Sequence, residues 1–163
     1  MFPISKLKKQ KKLRKKIVAY SERNAVYPLE IIRLENNSYH IAVSVEINGH
    51  KGEMLIDTGA SITIIDEKFF PDLPSIECEG EIQSGSVNGS IESIRIVEIE
   101  SFKIGNTDIG SCEVASTPMD YVNGLYQKHF NRSILGLLGS DFCVKHKARI
   151  DYEHMVFKLI LPE

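Results

Sequence analysis

Long apolar runs are absent from this chain. No stretch approaches the roughly 20 residues that a membrane-spanning helix needs. The basic N-terminus has no apolar segment behind it, so no secretory signal is read there. Cysteine is scarce: Cys78, Cys112 and Cys143 form an odd, widely spaced set with no C-x-x-C pair. That argues against a zinc site or a disulfide framework and suits a reducing compartment, so a cytoplasmic location is expected. Three buried thiols acting as small hydrophobes is the plain reading of them. The histidines (His40, His50, His129, His146 and His154) are scattered without ligand spacing and read as surface or internally satisfied side chains. No Gly-rich phosphate loop is present. Neither a metal nor a cofactor is expected.

Acids are missing from residues 1–16, which hold eight Lys/Arg. The rest of the chain carries twelve Lys/Arg against 22 Asp/Glu, so a basic arm precedes an acidic body. Such an arm suits an anionic partner or peripheral contact with a membrane surface. A solvated tail explains it equally simply. No aromatic is interleaved with the lysines to stack on bases, so nucleic acid is not specifically indicated. A length of 163 residues favours one folded domain, and 42 % apolar residues is enough for its core. The division expected is an arm over 1–24 and a domain over 25–163.

What is there in quantity is alternation. In YHIAVSVEI (39–47), Ile41, Val43, Val45 and Ile47 alternate with Ala42, Ser44 and Glu46, the pattern of a half-buried strand. Asn48-Gly49 is a strong hairpin turn, and KGEMLI returns as the partner strand. ITII is a short buried strand, and DEKFF suits one helical turn capped by Asp66. Residues 81–99 read as a long hairpin with a flexible, small and polar tip at Gly85–Ser90. Strands are expected over 96–104 and 107–115, and a short amphipathic helix within 118–132, weakened by Gly124. SILGLLGSDF is apolar and then turns into a short helix, and KARIDYEHMVFKLIL ends the chain as a hairpin. The sum is an all-β domain of many short strands, a small barrel or a sandwich.

One stretch points to chemistry. In MLIDTGASITIID (54–66) an apolar run delivers Asp57, and Thr58, Gly59, Ala60 and Ser61 turn the chain back into a second apolar run. A carboxylate leaving a buried strand is expected to be partly desolvated, with backbone N–H groups and hydroxyls to hold it. A single carboxylate is a poor hydrolase. Amide hydrolysis needs a base for water and an acid for the departing group. Two close carboxylates supply both by sharing one proton. The chain has one such turn. Asp108 lies in a polar turn with no apolar run before it, so the second carboxylate would come from a second copy around a two-fold axis.

These residues resemble the Asp-Thr/Ser-Gly-Ala/Ser motif of the aspartic proteases. With one motif, the chain is similar to the single-lobed retropepsins, in particular to cellular and bacterial retropepsin-like proteases and ubiquitin-shuttle retropepsin domains. GLLGSDFCVKH (136–146) resembles the family's apolar-apolar-Gly element and its short helix. The likeness spans about residues 40–160. It implies a small closed barrel with one short C-terminal helix and a flap hairpin. It also implies a homodimeric aspartic endopeptidase acting on polypeptides. Asp57 would be catalytic, Thr58 would bond across the dimer, and Gly59 would let the loop backbone approach the carboxylate. Ser61 would bond the outer oxygen of Asp57 or serve structurally, and Leu137, Leu138 and Gly139 would pack under the loop. Ser86, Val87, Asn88 and Gly89 would form the flap over substrate. Tyr121 and Leu125 are candidates for a side-chain pocket, and Asp141 reads as a helix cap or surface acid. The competing readings are a catalytically silent dimerisation or peptide-binding module on the same fold and, more weakly, a phosphoryl-transfer aspartate, which would need other acidic metal ligands nearby.

Overall fold

Ten strands and two helices follow the order set by these patterns in a computed structural model, which describes residues 24–76 and 94–161 together with Lys8, Lys11 and Lys12. The alternating run forms β3 (Tyr39–Ile47), paired antiparallel with β4 (His50–Ile56). Asn48 and Gly49 take φ of 47° and 83°, the left-handed pair that a two-residue hairpin turn demands. The Asn48 side chain also accepts from Glu100 N–H (3.1 Å) and Ser101 N–H (2.9 Å), which ties this turn to the next strand pair. That pair is β6 (Arg95–Ile104) and β7 (Thr107–Thr117), as expected, with register breaks between Ile99 and Lys103.

Short strands complete the sheet: β2 (Glu30–Arg33), β5 (Ile64–Asp66) and β8 (Gly136–Leu138). The hydrogen-bonded order is β2-β3-β4-β8-β5-β7-β6, and β3 pairs again with β6 at Val45–Ile47. The second pairing closes six strands into a barrel with β2 as an appendage. A separate three-stranded sheet places β10 (Val156–Ile160) between β1 (Asn24–Pro28) and β9 (Arg149–Asp151). It caps one end of the barrel, and Tyr27, Phe157 and Leu159 join the main core with Ile47, Met54, Phe102 and Leu138.

The expected helix in 118–132 is α1 (Asp120–Phe130), and the C-terminal one is α2 (Ser140–Lys145), so among the described residues from 24 onward there are two α-helices where the resemblance implied one. α1 covers the outer face of β3 and β4. There Ile32, Ala42, Leu55, Met119, Tyr126 and Ile134 form a second, smaller core, which is why Ala42 is buried on the face that alternation assigns to solvent. Arg132 pins the end of this segment, with Nη1 and Nη2 2.8 Å and 3.1 Å from the Glu30 carboxylate and Nη2 3.3 Å from Glu53. That bond holds the Glu30 carboxyl below its ordinary range, whereas burial beside Glu30 raises that of Glu53.

Residues 67–70 depart from expectation. They form a short turn of 3-10 spacing after β5, not a turn of α-helix: Phe69 N–H bonds Asp66 O and Phe70 N–H bonds Glu67 O. The Asp66 carboxylate does accept from Lys68 N–H, at 3.1 Å. Its remaining capacity goes to a distant partner, Asn123. The hairpin tip over 81–93 and Cys78 lie outside the described residues. Among the described residues no helix is long and apolar enough to cross a membrane.

Candidate active site

Asp57 stands where β4 ends, and its loop is built by the strand that threads beside it. β8 lies between β4 and β5, parallel to the first (Ile56 opposite Leu138) and antiparallel to the second (Ile64 opposite Leu137). The strands before and after the loop are therefore joined through a segment about 80 residues downstream, a register that apolar spacing alone does not specify. Asp57 N–H donates to Leu138 O at 2.9 Å and Ser140 N–H to Ala60 O at 2.8 Å. Leu138 is fully buried, with its carbonyl oxygen turned to the Asp57 loop. Gly139 is required by close approach. A Cβ there would meet Ile62 C and O at 2.5 and 2.6 Å and Thr63 N at 2.8 Å, all of them backbone atoms that cannot swing away.

Within the loop, Gly59 N–H donates to Asp57 Oδ1 at 2.9 Å, and Ala60 N–H closes the turn on Asp57 O at 3.1 Å. A Cβ on residue 59 would lie 3.2 Å from that same Oδ1, crowding the oxygen that the N–H orients. Asp57, Thr58 and Gly59 are exposed in the single chain, so the expected partial desolvation of Asp57 is not found. β4 leaves the core at Ile56, and nothing among the described residues of this copy covers the loop. The expected Ser61 bond to Asp57 is also replaced. Gly59 N–H is the partner of Oδ1, and Ser61 supports the loop through its carbonyl oxygen, which accepts from Ser140 Oγ at 3.4 Å.

Sequence reasoning missed Thr63. Its hydroxyl is buried, accepts from Gly139 N–H (3.1 Å) and donates to Asp141 Oδ1 (2.8 Å). Asp141 is an exposed acid, as expected, but Gly139 occupies the cap position of α2, and the Asp141 carboxylate instead ties that helix to the re-entrant strand. A threonine in an apolar run of isoleucines was the available signal.

A cavity of about 380 Å³ opens beside the carboxylate. Tyr39, His40, Ile41, Leu55, Ile56, Val122, Leu137, Ile150 and Tyr152 line it with Asp57 and Thr58, and Asp57 is its one acid among the described residues. The expected pocket residues of α1 are placed elsewhere. Tyr121 is 88 % exposed, and Leu125 lines an adjoining groove with Arg33, Leu34 and His129. Helical periodicity decides this, since the face that turns to the barrel carries Val122 and Tyr126. The flap residues Ser86, Val87, Asn88 and Gly89 lie outside the described residues. No group of three or more His, Cys, Asp or Glu positioned for a metal occurs among the described residues. Cys112 and Cys143 are free and partly buried, and burial pushes the Cys112 thiol up to about 11.

A closed barrel whose first loop presents one carboxylate, braced by a threaded strand and a short helix, is the retropepsin-like fold. A solved retropepsin-like aspartic protease from Rickettsia conorii superposes with a TM-score of 0.52 at 15 % identity, over 85 % of this chain and 90 % of the other. The retroviral protease-like domain of Ddi1 from Leishmania major gives 0.46 at 15 % identity, over 75 % and 94 %. A search of curated protein sequences returns no match. The aspartyl protease family model matches residues 43–142, the span from β3 into α2, and this chain belongs to that family.

Proposed function

We propose that the protein is a homodimeric aspartic endopeptidase in which the Asp57 carboxylates of two copies activate a water between them. The observation that carries the reading is the half-built site. Asp57 is exposed, oriented by Gly59 N–H, and without a second acid in its cavity among the described residues. A facing copy would supply the missing carboxylate and remove both from bulk water. The pair would hold one proton, so that one group takes a proton from water while the other gives one to the substrate carbonyl oxygen. Activity would then be bell-shaped in pH with its optimum on the acid side of neutrality, because both flanks lose the singly protonated state. Thr58, Gly59, Ser61, Leu138 and Gly139 support the loop in this scheme, and Ser86–Gly89 close over the peptide. The basic arm expected over 1–24, less Asn24, which pairs with Ile160 in the domain's sheet, serves contact with an anionic partner.

Co-refolding wild-type and Asp57→Asn chains tests the assembly. With random exchange, an equal mixture retains about a quarter of the activity of the same amount of wild type, as two-fold pairing requires. A strictly linear dependence on wild-type fraction, with exchange verified, would mean that each chain works alone.

A further inference from the structure

We infer that His40 is a substrate-contacting hydrogen-bond donor in the Asp57 cavity, and that it selects a neutral amide side chain, asparagine or glutamine, at one position of the bound peptide. The inference rests on the proteolytic reading above and adds a specificity to it. His40 lines the cavity on β3, and its Nδ1 lies 2.7 Å from the hydroxyl of Tyr126 on α1. Tyr126 is fully buried, and burial pushes its phenol up to about 12, so the hydroxyl keeps its proton at any working pH. His40 Nδ1 is the one hydrogen-bond partner of that hydroxyl among the described residues. A buried O–H with no acceptor is strongly disfavoured. The O–H therefore donates to Nδ1, and the neutral imidazole carries its proton on Nε2.

Nε2–H has no partner among the described residues. The rest of the lining is part apolar, from Ile41, Leu55, Ile56, Val122 and Leu137, and part hydroxyl-bearing, from Tyr39, Thr58 and Tyr152; a hydroxyl rotates to give or accept a hydrogen bond, whereas the ring N–H is fixed as a donor. A peptide side chain entering there is sorted by whether it ends in an acceptor. Asp57 lines the same cavity and repels a carboxylate, which leaves the amide carbonyl of Asn or Gln as the matched group. Tyr126 is a positioning residue in this scheme. Its ring lies nearly parallel to that of His40, end to end through the hydrogen bond with the planes 15° apart, and sets which nitrogen holds the proton.

The test uses the Asp57→Asn chain, in which bound peptides stay intact. Peptides differing at one position are compared in near-isosteric pairs, Gln against Met and Asn against Leu, with each position scanned in turn. At one position the Gln/Met binding ratio should fall roughly three- to tenfold when His40→Leu is introduced together with Tyr126→Phe, the worth of one neutral hydrogen bond. Nitrogen-15 spectra of labelled histidine should show His40 with Nε2 protonated, a shift of that signal on binding the Gln peptide, and mixed tautomers in Tyr126→Phe. A ratio independent of His40 at every position, binding of no peptide, or an Nδ1-protonated His40 overturns the inference. If the double variant does not fold, the tautomer and its response to the Gln peptide decide alone. Cleavage by the wild-type chain is scored separately. Cutting without His40-dependent selectivity removes this inference and leaves the protease, and selective binding without cutting does the reverse.

Discussion

Asp57 follows β4 and Asp66 ends β5, each where a strand gives way to a turn, and the fold treats them in opposite ways. Asp57 is exposed, with one backbone N–H on its carboxylate. Asp66 is 1 % exposed, and its carboxylate accepts from Lys68 N–H, from Met119 N–H at 3.4 Å and from Asn123 Nδ2 at 2.6 Å. Asn123 in turn accepts from Ile134 N–H and donates to Ile134 O. The saturated carboxylate is a girder that locks α1 to β5 and to the approach to β8. The unsaturated one keeps lone pairs free for a reacting atom. In this pair the number of occupied acceptor sites, more than the residue type, separates a structural acid from a chemical one.

The sharpest separation is expected from Asp57→Asn. It should lower peptide cleavage by about 10²–10⁴-fold, the range for a lost general acid–base group, while the melting temperature stays unchanged. Full activity, with contaminating protease excluded, would remove Asp57 from the chemistry. Asp66→Ala should do the opposite. It strands two buried donors, Met119 N–H and Asn123 Nδ2, and frees Lys68 N–H, and should cost roughly 2–4 kcal/mol in denaturant unfolding, with residual activity tracking the folded fraction. A variant as stable as wild type would show that Asp66 is no girder. Between the two lies Thr63→Val, which keeps the shape of the re-entrant strand but loses the bonds to Gly139 and Asp141. A loss of about 1–2 kcal/mol is expected from chemical denaturation, together with a fall in kcat from a looser Asp57 loop. Unaltered kcat in that variant would limit Thr63 to stability.

The elements legible in the sequence are those specified by neighbours a few residues apart. β3 with its Asn48-Gly49 turn, the β6–β7 pair, α1 and α2 all follow from local periodicity or turn chemistry. The loop at Asp57 was legible for the same reason, because Gly59 meets a carboxylate two residues away. Misreadings fall where a partner is distant. Asp66 caps the turn after it as read, but its second partner, Asn123, is invisible from position 66. Tyr121 and Leu125 were chosen for the cavity, although the phase of α1 against β3 and β4 turns Val122 there instead. Of the two roles read for Ser61, the structure shows a structural one, with its carbonyl oxygen accepting from the distant Ser140 Oγ.

By itself the sequence determined most of the strands from β3 onward, though not β1 and β2, together with the Asn48-Gly49 turn and the apolar strand that delivers Asp57 into a Thr-Gly turn. Those follow from φ/ψ preference and side-chain alternation, which act over a few residues. The tertiary structure alone decided that β8 threads between β4 and β5, that Thr63 couples Gly139 to Asp141, that Asp66 is sealed by Asn123, and that Tyr126 holds the ring of His40. Each joins groups brought together only when the barrel closes. Their energies come from excluding water around paired polar atoms, and nothing in the spacing of residues encodes that exclusion before the chain folds.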